Sequence, residues 1–129
     1  MKKEIHIAAE KTILELQDEF RALFPYLNLE FYKTQDTDPR LIVRKHLSPT
    51  TLLKAAGAKN AGVIEVENDL TVAELEKSLR ENFGLVAQVT RQSGTVWLVT
   101  TMTDDWTLRQ QNEHGREITK GLEKPRQTG

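Results

Sequence analysis

A chain of 129 residues with no cysteine and a formal charge of -1 has the size of one domain. The missing thiols exclude disulfides, thiolate nucleophiles, iron–sulfur clusters and cysteine-ligated zinc. With 18 basic residues against 19 acidic ones, no global field draws in nucleic acid or an anionic membrane.

The start of the chain, Met1-Lys2-Lys3-Glu4-Ile5-His6-Ile7, has no apolar h-region, and no run approaches a membrane span. A soluble protein in the cytoplasm is the expectation. From about Ile7 to Phe24, Ile13, Leu16, Phe20 and Leu23 recur with helical spacing, and Pro25 ends the helix. Residues 27–33 alternate, with Leu27, Leu29 and Phe31 on one side, as in a half-buried strand. The segment 34–47 carries no clear period. Ser48-Pro49 reads as an N-cap and first helical position, Leu52 to Ala56 as a short helix, and Gly57 as its C-cap.

Residues 62–67 read as a second strand. Thr71 and Glu74 form a capping box, because a hydroxyl and a carboxylate three positions apart can each bond the other's exposed backbone amide. Behind it, Val72, Leu75, Leu79 and Phe83 make the apolar stripe of a helix stopped by Gly84. Residues 85–91 and 95–101 flank a hairpin turn. A Ser93-Gly94 turn would place Ser93 at positive φ, so a three-residue Gln92-Ser93-Gly94 turn with a bulge is preferred. That register puts Leu85, Ala87, Val89, Trp97 and Val99 in the core and leaves Val86, Val96 and Leu98 on the outer face. Asp104 or Asp105 then caps a short polar helix that ends at Gly115, with Trp106 anchoring it. No internal repeat is evident.

These elements predict an α+β fold in the order αβαβαββ. Its two layers are a mixed four-stranded sheet and two to three helices on one face. One domain is expected over 1–115, with a flexible tail over 116–129.

No metalloprotease, P-loop, dinucleotide or nucleophile-elbow motif occurs. His6, His46 and His114 lack ligand spacing, and Ser48 beside His46 is explained by capping. Paired Asp104 and Asp105 are adjacent, so they point apart rather than into one site. Catalytic, cofactor-binding and metal residues are therefore not assigned, and no cofactor is expected. Two surfaces remain. The half-apolar outer face of the hairpin, with Val86, Val96 and Leu98, suits a protein partner, foremost a second copy in a homodimer. Between Lys33 and Asn60 six basic residues face only Asp36 and Asp38, so Arg40, Arg44 and Lys45 could hold an anionic ligand or nucleic acid. The first reading is a non-enzymatic, self-associating interaction module, and the second is the anion binder.

The block from Phe83 to Leu108, with Arg91-Gln92-Ser93-Gly94-Thr95-Val96-Trp97-Leu98 and Thr103-Asp104-Asp105-Trp106, resembles a family of small uncharacterised bacterial proteins. The resemblance extends to Thr71-Val72-Ala73-Glu74 and Gln111-Asn112. It implies a small single-domain bacterial protein and no particular activity.

Overall fold

The computed structural model describes residues 3–33, 46–67 and 69–123. Its elements are β1 (Glu4–Ile7), α1 (Ile13–Leu23), β2 (Leu27–Tyr32), α2 (Leu53–Ala56), β3 (Gly62–Glu65), α3 (Val72–Phe83), β4 (Val86–Ser93), β5 (Val96–Val99), a 3-10 turn (Thr101–Thr103) and α4 (Leu108–Glu123). The fold is α+β. The expected single mixed sheet of four strands is replaced, among the described residues, by two antiparallel sheets: β1 with β3, and β2-β4-β5. The extra strand is β1, which precedes the expected helix and overlaps it only at Ile7. Thr12 closes that helix off, because its hydroxyl accepts the Glu15 N–H while the Glu15 carboxylate accepts the Thr12 N–H, a second capping box.

The two boxes belong to a repeat that the residue pattern hides. Thr12-Ile13-Leu14-Glu15-Leu16 in α1 corresponds to Thr71-Val72-Ala73-Glu74-Leu75 in α3. Ahead of each box the chain makes the same turn, with Lys11 N–H on the Ala8 carbonyl and Leu70 N–H on the Glu67 carbonyl. The first two amides of each helix are satisfied by carbonyls from a distant loop. Ile13 and Leu14 donate to Thr51 and Pro49, and Val72 and Ala73 donate to Trp106 and Asp104. In return, Leu53 donates to the Lys11 carbonyl and Leu108 to the Leu70 carbonyl, so α2 and α4 start in equivalent places.

The halves β1-α1-β2 and β3-α3-β4 are joined through antiparallel pairs at equivalent residues: Ile5 opposite Ile64, and Leu29 opposite Val89. An approximate two-fold axis relates them. Even polar positions match: the buried Gln17 donates to the Leu29 carbonyl at 2.7 Å, and Glu76 accepts the Val89 N–H at 2.9 Å. Both bonds satisfy backbone groups on the outer side of a paired strand, where no neighbouring strand reaches among the described residues. The core gathers on this axis, with Ile5, Leu16, Phe20, Leu29, Leu75, Leu79 and Val89 fully buried.

Three further expectations are corrected. The turn of the last hairpin is Gly94-Thr95, since Ser93 pairs with Val96 and Arg91 with Leu98. Gly94 has φ +66° while Thr95 does not have positive φ, the sign pattern of a type II′ turn. Trp97 and Val99 are consequently exposed rather than core residues. Ser48 does not cap α2, whose first turn follows Leu52; the Ser48 hydroxyl instead accepts the Thr50 N–H within a turn. Finally, α4 does not stop at Gly115 but runs on to Glu123, so residues 116–123 are helical. Its cap is Thr107, whose hydroxyl accepts the Gln110 N–H, not Asp104 or Asp105. The Asp104 carbonyl is committed to α3. Glycine is needed at 115 because a Cβ there would lie 3.0 Å from both Arg91 Cγ and Tyr26 Cβ.

The corrected register has a direct consequence for stability. Leu29→Ala, at the buried two-fold pair, is expected to cost about 2–5 kcal/mol. Trp97→Ala removes a larger side chain from a partly exposed position outside the core and is expected to cost less, under about 2 kcal/mol. Urea unfolding of the two variants checks the order, and the reverse order would restore Trp97 to the core.

Candidate interaction surface

β5 is the third strand of its sheet and lies at the edge. Its four side chains, Val96, Trp97, Leu98 and Val99, are 54%, 37%, 43% and 60% exposed, so the strand is open on both faces. Strand parity assigns them: Trp97 and Val99 share a face with Gln92 and Thr90, while Val96 and Leu98 share the other with Ser93 and Arg91. The backbone shows the same openness. Gln92 N–H bonds the Tyr26 carbonyl across β2, so the groups of Arg91 and Ser93 point at β5 and engage Leu98 and Val96. The N–H and C=O groups of Trp97 and Val99 therefore point away from the sheet, and among the described residues none meets them. Edge strands are usually guarded by a charge, a proline or a bulge. β5 has none of these.

The strand is held at both ends. At the hairpin tip, Gly94 N–H donates to Thr119 Oγ1 at 3.2 Å, and Leu122 lies so near that a Cβ on Gly94 would meet its Cδ1 at 2.9 Å. At the exit, the buried Thr100 hydroxyl donates to the Val89 carbonyl at 2.8 Å. Beyond it, the buried Gln111 donates to the Thr103 carbonyl at 2.8 Å and accepts from Arg91 Nη1 at 2.9 Å. Burial pushes the Arg91 pKa down. The Arg21 guanidinium stands 5.5 Å from the Trp97 ring centroid, a cation–π distance that limits the freedom of the indole. A strand with fixed ends and a partly fixed anchor loses little entropy on meeting a partner.

The residues singled out from the sequence distribute as follows. Val96 and Leu98 lie together on one face of β5, but Val86 pairs with Tyr32 and lies on the opposite face. The one-residue change in the turn causes this, since a register slip of one exchanges faces. Trp97 and Val99 share the face of Val86, and all four side chains of β5 are exposed. Arg40, Arg44 and Lys45 fall outside the described residues. His6, His46 and His114 sit apart, beside Glu19, Tyr32 and Trp106 respectively. Among the described residues no three His, Cys, Asp or Glu side chains are grouped to hold a metal ion, and no helix is long and apolar enough to cross a membrane. An open cleft of about 510 Å³ is lined by Glu67, Asp69, Thr107, Arg109 and Gln110, which include no nucleophile paired with a base.

One polar cluster had no signal in the sequence. The Glu19 carboxylate accepts from the His6 N–H at 2.5 Å, from His6 Nδ1 at 2.8 Å and from the Lys11 ammonium. It thereby ties α1 to an edge amide of β1. Partial burial pushes the Glu19 pKa up, but the hydrogen bonds from Lys11 and His6 outweigh it and hold the carboxyl below its ordinary value. Those three partners meet only after the strand and helix have packed.

Comparison of the chain with protein-family models, with curated proteins and with solved structures found no match.

Because the folded pKa of Glu19 is depressed, its contribution to stability is present above the ordinary carboxylate range and is lost as pH falls through the folded value. Glu19→Gln is therefore expected to be less stable than the parent at neutral pH and to approach it in acid. Denaturant titrations at a series of pH values check this; a stability difference independent of pH would remove the ion pair from the account.

Proposed function

We propose that the protein is a non-enzymatic interaction module that self-associates through its three-stranded sheet, with β5 as the contact element. The observation that supports this reading is the combination found on β5: four exposed apolar side chains, a row of backbone donors and acceptors that none of the described residues meets, and fixed ends. An exposed apolar edge of this kind is a template for another strand. A surface strand with no interaction duty ordinarily carries at least one gatekeeping charge, and retaining four apolar residues in its place lowers solubility without adding to the core.

Val99→Pro separates this reading from a purely structural one. The Val99 N–H points away from β4, so proline leaves the β4–β5 ladder intact and removes one donor from the open edge. The parent is expected to show a concentration-dependent rise in mass by light scattering, and Val99→Pro to remain monomeric while melting within a few degrees of it. A parent that stays monomeric up to several hundred micromolar would overturn the proposal.

A further inference from the structure

Resting on that reading of β5, we infer that its occupant is β5 of a second copy, added antiparallel with Leu98 facing the partner's Leu98 across a two-fold axis.

The geometry of the strand selects this arrangement. A two-fold axis normal to a sheet keeps every side chain on its own face, so only residues of like parity can oppose each other. The axis must then pass through a Trp97 pair or a Leu98 pair. With the axis at Trp97, the outward groups of Trp97 bond their own copies, and Val99 must find Thr95, which is a turn residue beside Gly94. With the axis at Leu98, Trp97 exchanges both of its bonds with the partner's Val99, and Val99 does so with the partner's Trp97. Every free group of the strand is then used. The second register also places an indole against a β-branched side chain twice on one face, a favourable cross-strand pairing. On the other face the two Leu98 side chains meet at the axis.

Neither copy carries a charge on this strand, so the two can meet without like-charge repulsion. The size of the contact agrees with a second copy held weakly. Four side chains of these types, exposed as observed, present on the order of 400 Å² per copy. Two copies bury on the order of 1,000 Å² with the backbone edge included, at the small end of specific interfaces, so dissociation in the range of about 10–100 µM is expected. The product is a continuous sheet of two β2-β4-β5 units.

The absence of cysteine makes the register directly readable. Single variants Val96→Cys, Trp97→Cys and Leu98→Cys, all at exposed positions, would be oxidised with copper phenanthroline at about 100 µM protein, near the expected dissociation constant. In the proposed register the two 98 positions form a non-hydrogen-bonded pair with Cα atoms about 4.5 Å apart, within disulfide reach. The 97 positions are displaced by two residues along the strands and the 96 positions by four, beyond that reach. Leu98→Cys is expected to give a covalent dimer at least tenfold faster than the other two. Fastest linkage at 97 would overturn the register while leaving β5 as the contact element. Linkage at none of the three, with a parent dimer that Val99→Pro dissolves, would overturn strand pairing and leave the interaction reading standing. Linkage at none with a monomeric parent would remove both.

Discussion

The antiparallel pairing of two like halves across an approximate axis organises everything else in this molecule. Each half offers one short strand, one helix and one longer strand, and none of these can bury its apolar side alone. Pairing Ile5 with Ile64 and Leu29 with Val89 brings both helices onto a shared core. It also resolves the helix starts. Each helix leaves amides without intrahelical partners, and the pairing places a loop from the same half where its carbonyls can receive two of them. The threonine of the capping box receives a third. Helix ends, strand pairs and core are therefore consequences of a single arrangement rather than separate devices.

The halves differ where the surface is made. After β2 the chain returns to its outer edge through His46 and Leu47, with Leu47 N–H on the Phe31 carbonyl. After β4 it returns through a two-residue turn and lays β5 in the comparable place. The closing helices differ too. α2 is a single turn ended by Gly57, whereas α4 continues past Gly115 to hold the hairpin tip through Thr119. The asymmetric additions thus converge on β5, which is tied down at each end and open along its length.

Local chemistry was sufficient for some of this and not for the rest. Thr71 and Glu74, the stripe through Phe83 and Gly84 at φ +73° define α3 without tertiary help. The alternation in residues 27–32 likewise defines β2. The hairpin turn was not decidable locally, because Ser93, Gly94 and Thr95 suit more than one turn. The partners that fix it, Thr119 at the tip and the Val89 carbonyl at the exit, are remote in sequence. α4 reads in the sequence as a short polar helix ending at Gly115, and its continuation to Glu123 is hidden for another reason. Its buried face is Leu108, Gln111, Gly115 and Thr119, a helical stripe written in polar and small residues that bond the hairpin instead of filling a core. The repeat was hidden because loops of unequal length separate matching positions, and because what is shared lies mainly in the backbone. Val96 and Leu98 were legible as apolar residues without a core role, and the register alone moved them to the face opposite Val86.

The unequal edges of the three-stranded sheet set a valence. Along β2 two outward carbonyls are already taken, that of Leu29 by the Gln17 amide and that of Phe31 by the Leu47 N–H. Along β5, among the described residues, no partner meets the outward groups of Trp97 and Val99. A sheet with two vacant margins could keep adding subunits and grow into a fibre. With one margin partly occupied, the proposed encounter between like β5 margins uses up both and leaves the sheet a poorer site for further growth.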